Sequence, residues 1–273
     1  MRRYSDNLGL ETDLMLIALD GQVTRRGGYL VGRRPRHPDH IWGNLLVLDA
    51  PPERGDAVAE SWIARFKQEV GPATRHTALS WSGEVDRGAL LPFVVRGFEP
   101  IDIVALSTDA PRLHDRAASD VTVRRLRTNA EWRACFQLTR QMQDDPRPDP
   151  AFDGWLARQL RQHRLLMDQG HGAYFGAFHG SRLVGSLGIY VRREDGLARY
   201  QLVVTDRRYR RRGVAGRLVG EAGRHAVEHL GARELVIVAE QRGHAADVYR
   251  DAGFTTEAPL AGVMKHRRVA PPP

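Results

Sequence analysis

Eleven residues, Arg207 to Arg217, hold six arginines around the small-residue run Gly213-Val214-Ala215-Gly216. Arginine presents a planar, permanently charged fork that suits phosphate and carboxylate oxygens. Glycine lets a backbone approach a ligand with no Cβ in the way. The apolar run Leu202-Val203-Val204-Thr205 precedes this turn. Beyond it, Val214, Leu218, Val219, Ala222, Ala226 and Leu230 recur at helical spacing. The local order is strand, turn, helix. A helix start carries unpaired N–H groups and partial positive charge, so it can hold a pyrophosphate. A P-loop would need Gly-Lys-Ser/Thr here, and the turn has no lysine. A dinucleotide fingerprint would need three spaced glycines and a later acidic residue. A nucleic-acid groove would need more interleaved aromatics than Tyr209 alone, so no nucleic-acid partner is expected.

Arg210-x-x-Gly213-x-Ala215 resembles the R/Q-x-x-G-x-G/A signature of GNAT N-acetyltransferases. The resemblance covers about residues 121–268 and extends to element order: strand, two helices, three strands, helix, strand, helix, strand. It implies acetyl-CoA as co-substrate, no metal, and acyl transfer to an amine, on a small molecule or a protein, by direct attack in a ternary complex. The strand backbone at Val203, Val204 and Thr205 would bond the pantetheine arm. Arg210, Arg211, Arg212, Gly213, Val214, Ala215 and Gly216 would hold the pyrophosphate. Tyr249-Arg250-Asp251-Ala252-Gly253-Phe254 looks like the family's Y-x-x-x-G-F segment, which makes Tyr249 the acid for the departing thiolate. Two positions depart from the family's pattern. Arg242 stands where an asparagine is frequent. Ala198 stands where histone-type members carry a glutamate base. Glu194, Asp195 and Glu240 are the remaining nearby carboxylates, and each reads as a surface residue. The same fold without turnover, an acyl-CoA sensor or interaction module, is the alternative reading.

The elements that must position these groups follow from periodicity and breakers. Val121–Leu126 reads as a strand, and Asn129 as the cap of a helix reaching about Gln143. Asp144–Pro150 is a proline-broken loop, and with the helix from Phe152 and the first half it is expected to line the acceptor pocket. Phe152–Met167 is a second helix, and Ala173–Phe178, Leu183–Val191 and Leu197–Thr205 are strands. A helix over Val214–Leu230, a strand over Leu235–Ala239, a helix over Ala245–Ala252 and a strand near Phe254 complete the half. Cys135 lies in a helical apolar pattern and reads as a buried small hydrophobe.

The first half repeats part of this plan. Leu14–Leu19 and Gly28–Val31 read as strands about a turn at Asp20-Gly21, and Leu45–Leu48 as a third. A helix over Asp56–Val70, a strand over Thr77–Trp81, a short helix over Ala89–Val95 and a strand over Ile101–Leu106 follow. Gly55 to Gly97 spans 42 residues and Gly213 to Gly253 spans 40. The phosphate chemistry is missing from this copy. Its turn carries Pro51, Pro52 and the carboxylates of Asp49, Glu53 and Asp56, and Phe93 replaces the tyrosine. Trp42, Trp62 and Trp81 read as packing residues. The expected fold class is α/β (α+β): a mixed, mostly antiparallel GNAT-type sheet flanked by helices, in tandem, the first copy incomplete and lacking its first two helices. The expected boundaries are 1–110, a linker at 111–120, the acyltransferase domain at 121–268 and a disordered tail at 269–273.

Bulk properties agree with an anionic ligand. The chain of 273 residues carries a net charge of +8, with lysine only at Lys67 and Lys265. One cysteine allows no intrachain disulfide, which fits a reducing, cytoplasmic setting. The run Leu14–Leu19 is too short for a membrane span, so no membrane partner is expected, and the chain is expected to be a monomer or homodimer.

Overall fold

The computed structural model describes residues 3–112, 118, 120–143 and 149–266. In chain order the elements are α1 (Leu8–Ala18), β1 (Gln22–Arg26), β2 (Tyr29–Arg33), β3 (Leu45–Leu48), α2 (Asp56–Val70), β4 (His76–Ser82), α3 (Arg87–Val94) and β5 (Glu99–Thr108). Then come β6 (Thr122–Arg125), α4 (Asn129–Gln141), α5 (Pro150–Asp168), β7 (Gly172–His179), β8 (Arg182–Arg192) and β9 (Leu197–Thr205). α6 (Val214–Leu230), β10 (Glu234–Glu240), α7 (His244–Asp251) and β11 (Thr256–His266) end the chain's described structure.

The chain divides into two compact units. The C-terminal unit holds Leu106–Ala239 and Gly243–Glu257; the N-terminal unit holds the chain up to Ala105, Glu240–Arg242 and the stretch from Ala258. In the N-terminal unit the strand order is β1-β2-β3-β4-β11-β5. The last strand of the chain therefore completes the first unit's sheet. β11 runs antiparallel to β4, from Leu260↔Ser82 to His266↔His76. Its Ala261 and Val263 enter one core with Leu46, Leu79, Trp81 and Phe93. Burial of such side chains stabilises by about 1.5–3 kcal/mol each.

In the C-terminal unit the order is β10-β9-β8-β7-β6. β6 to β9 form an antiparallel meander, and β10 joins β9 in parallel. The two faces can be told apart on β8. A Cβ at Gly185 would meet Leu218 and Val214 of α6, whereas Ser186 Oγ lies 3.5 Å from Cys135 Sγ on α4. Adjacent strand residues face opposite ways, so α6 covers one face and α4 the other. Cys135, Leu138, Leu156, Leu160 and Tyr174 pack together on the α4 side. Cys135 is fully buried, as its apolar neighbours in sequence imply.

Four readings change. Leu14–Leu19 is not a strand: it is the end of α1, capped by Asn7, whose side chain accepts from Gly9 N and Leu10 N. Nearly every residue of α1 is buried, so its apolar run has no polar face to reveal helical period. The first half consequently does have a helix ahead of its strands. Asn129 is not a cap but the first helical residue of α4; Thr128 caps it in a reciprocal box with Glu131. The final strand begins after Phe254, at Thr256. Residues 113–117 and 119 of the expected linker, 144–148 of the acceptor-facing loop and the tail at 269–273 lie outside the described residues.

Candidate functional site

β9 contains the first feature of the site. Ser186 pairs with Val204 and Gly188 with Gln201, so Leu202 and Val203 together oppose Leu187. This is a β-bulge, and Leu202 takes a left-handed φ of 50° to make it. A leucine in that region stores strain. On its other edge β9 pairs with β10 only from Leu197↔Glu234 to Arg199↔Val236. From Tyr200 onward that edge has no strand partner among the described residues of the unit. Val203, Val204 and Thr205, all half-buried, sit on this opened stretch. An extended amide-bearing chain could add to it as a strand would.

The turn after β9 is built by Asp206, a buried residue that the sequence reading passed over. Its N–H donates to Val184 O, and its carboxylate accepts from Arg208 N at 2.9 Å and Arg182 Nη2 at 2.8 Å. The signal was an aspartate at a strand end two residues before a turn N–H. A short 3-10 turn at Arg207–Tyr209 follows. Arg211 (φ 59°) and Gly213 (φ 77°) then adopt left-handed backbone, and Gly213 is the uncapped N-cap of α6. The first helical bond is Arg217 N to Gly213 O, 3.0 Å. The N–H groups of Val214, Ala215 and Gly216 meet no acceptor among the described residues. A Cβ added at Gly216 would find open space. Three unspent donors at a positive helix end fit a phosphate.

The arginines of this segment divide by what they touch. Arg212 pairs with Asp120 and lies over the Tyr209 ring at 4.8 Å. Arg207 donates to Gln143 O at 2.9 Å, and Arg217 donates to Ala118 O at 2.5 Å. Arg210 reaches back to Thr205 O at 3.5 Å. Arg208 and Arg211 are exposed. The structure thus brings Arg210, Arg211, Gly213, Val214, Ala215 and Gly216 to one helix start, and holds Arg212 in an ion pair beside it.

Tyr249 lies on α7, buried, its ring 6.5 Å from Phe254, which in turn packs at 5.8 Å on Tyr200 of β9. Tyr200 bonds Val219 O of α6 at 2.9 Å, so Tyr249 stands on the α6 side of the sheet. Burial pushes the Tyr249 hydroxyl up to about 12, so it keeps its proton at neutral pH. Ala198 is fully buried, between Val191 and Leu235. β9 itself, LARYQLVVT, has no carboxylate. Asp195 is held by Arg192 at 2.6 Å.

The corresponding turn of the N-terminal unit is differently equipped. α2 starts at Asp56 after Gly55. Arg96 bonds Asp56 at 2.6 Å, Glu60 at 2.7 Å and Pro92 O at 2.8 Å. Acidic side chains occupy that helix start, and a phosphate would be repelled there. Phe93 is buried against Phe98. Among the described residues no helix is long and apolar enough to cross a membrane, and no group of three or more His, Cys, Asp or Glu is placed to hold a metal.

Comparison with known proteins agrees with this geometry. Residues 131–254 match the acetyltransferase (GNAT) family. No curated protein matches the sequence. A functionally unknown conserved protein from Staphylococcus epidermidis shares the fold at 14% identity, TM-score 0.72, over 90% of this chain and 94% of that one. A GCN5-related N-acetyltransferase from Kribbella flavida aligns at 14% identity and TM-score 0.59, over 96% of both chains. A tandem GNAT protein from the clavulanic acid biosynthesis pathway aligns at 12% identity and TM-score 0.52, over 97% of this chain and 96% of that one. At these identities the likeness is one of fold. Residues 131–254 thus match the GNAT family, and the chain shares its fold with GNAT proteins, a tandem one among them.

Proposed function

We propose, from the match of residues 131–254 to the GNAT family, that the chain transfers an acyl group, acetyl in the first instance, from coenzyme A to an amine. The observation that carries this reading is the junction of β9 and α6: an opened, bulged strand edge ending at three unpartnered helix N–H groups. The edge at Val203–Thr205 suits the amides of a pantetheine arm. Arg210, Arg211 and the N–H groups of Val214, Ala215 and Gly216 suit the pyrophosphate. The amine nitrogen attacks the thioester carbonyl, the C–S bond breaks, and the sulfur leaves with its electron pair. Tyr249 donates a hydrogen bond toward that sulfur, and the proton lost from nitrogen passes to water.

A thiol-release assay with a broad amine panel tests this directly: release must require both acetyl-CoA and an amine. A second reading, an acyl-CoA sensor, is favoured by one observation, the buried Ala198 in a strand without a carboxylate. Calorimetric binding of acetyl-CoA with no acylation across the panel would select it. No binding at millimolar acetyl-CoA would reject both.

A further inference from the structure

Arg212 immediately precedes Gly213, the uncapped N-cap of α6, yet its charge is committed elsewhere. Its guanidinium pairs with the Asp120 carboxylate and lies over the Tyr209 ring, 4.8 Å from the centroid. The Tyr209 hydroxyl stands 3.4 Å from His179 Nδ1, and His179 Nε2 stands 3.7 Å from Asp120 Oδ2. Asp120, Arg212, Tyr209 and His179 close a ring of contacts beside the helix start. All four belong to the C-terminal unit.

Three features set Asp120 apart from an ordinary surface carboxylate. Its stretch of chain is fastened to α6 a second time, because Arg217, in the first turn of that helix, donates to Ala118 O at 2.5 Å. The carboxylate takes the arginine and not the helix: α6 has no side-chain cap, and the N–H groups of Val214, Ala215 and Gly216 meet no acceptor among the described residues. It is also held more loosely than Asp206, the other carboxylate of this turn, which is buried and accepts from both Arg208 N and Arg182. The side chains of Arg212 and Asp120 are 46% and 40% exposed, and an ion pair so open to water is weak. A pyrophosphate carries more charge than one carboxylate and offers the guanidinium fork two oxygens at once. It is therefore the stronger partner for Arg212.

We infer that Asp120 is an internal competitor of the ligand's phosphates. It holds Arg212 until a pyrophosphate on the α6 start draws the guanidinium away, and so sets a lower affinity than the arginines alone would give. Tyr209 keeps the guanidinium close to the helix start, and His179 stays beside the aspartate when the arginine leaves. The inference rests on the acyl-CoA reading of the β9–α6 junction and adds a residue that tunes it. Titration calorimetry of the full chain with acetyl-CoA tests it, at about 0.15 M salt, where bare repulsion across the surface is screened. Asp120→Asn tightens acetyl-CoA by about threefold to tenfold. Arg212→Gln weakens it, and in that background Asp120→Asn gains almost nothing, because the aspartate acts through the arginine. Melting temperatures move little in each variant, since both side chains are exposed. Acetyl-CoA bound by Asp120→Asn no more tightly than by the parent overturns the inference and leaves the acyl-CoA reading standing. So does an equal gain with and without Arg212, which would reduce Asp120 to general repulsion. A parent that binds no acetyl-CoA at millimolar concentration rejects the acyl-CoA reading itself, and this inference with it.

Discussion

Gly216→Ala separates the stability of α6 from its proposed phosphate contact, because the two effects have opposite signs. Gly216 lies in the first turn of α6, where an added Cβ meets nothing within 4 Å. Alanine relieves glycine's entropic cost in a helix, about 0.5–1 kcal/mol. For a chain of this size that raises the apo melting temperature by about 1–4 °C. The same methyl is expected to crowd a phosphate seated on the N–H groups of Val214, Ala215 and Gly216. Displacing a phosphate from one charge-assisted bond costs about 1.5–3 kcal/mol, or roughly ten- to a hundredfold in affinity. Gly213→Ala is the counterpart. Its φ of 77° is left-handed, so a side chain there costs about 1–2 kcal/mol and lowers the melting temperature by about 2–8 °C. Scanning calorimetry reads the first quantity, and acetyl-CoA titration calorimetry the second. A Gly216→Ala protein that melts higher yet binds acetyl-CoA like the parent would refute the placement of phosphates on this helix start.

The remaining expectations are simpler. One acetyl-CoA binds per chain, because Asp56 and Glu60 with Arg96 fill the α2 start; a titration stoichiometry of two contradicts this. Tyr249→Phe lowers turnover about a hundredfold, roughly 2.7 kcal/mol of barrier, with little change in the Michaelis constant for acetyl-CoA; full activity assigns Tyr249 to packing. Glu131, held at about 2 chiefly by the N–H groups of Arg127 and Thr128, contributes stability that is complete above its unfolded value of about 4.3 and is lost as pH falls through about 2. Glu131→Gln removes that acid-side loss, which melting curves taken across the range will show.

What the sequence made legible was whatever has period or punctuation. α6 falls on Val214–Leu230 as its apolar spacing implies, and α2 on Asp56–Val70. The Arg-Gly turn is where its residue types place it. The bulge at Leu202 was invisible: Leu-Val-Val-Thr alternates no differently from a regular strand, and only pairing with β8 reveals the extra residue. α1 was misread because burial on all sides erases amphipathicity. The transfer of β11 to the first unit's sheet is a long-range pairing with β4 that no local pattern encodes. Asp206 was readable in principle, yet its bond to Arg182 spans 24 residues.

The proton inventory of the proposed site limits its mechanism. A simple thiol titrates near about 8.5, whereas burial raises Tyr249 to about 12. Complete proton transfer from this tyrosine to a departing thiolate would run uphill by about 3.5 units, or about 5 kcal/mol. Donating a hydrogen bond to the developing negative charge carries no such cost, and a bond to a charged acceptor contributes about 1.5–3 kcal/mol. That range contains the loss expected for Tyr249→Phe. On the other side of the reaction, β9 offers no carboxylate to take the amine's proton. On this reading the amine arrives neutral or loses its proton to water. Turnover per unit acetyl-CoA should then rise with pH along the titration of the acceptor itself, and the inflection should move when a less basic amine replaces a more basic one. An inflection fixed across such a series would instead belong to a group of the protein, and would require a base that Ala198 does not supply.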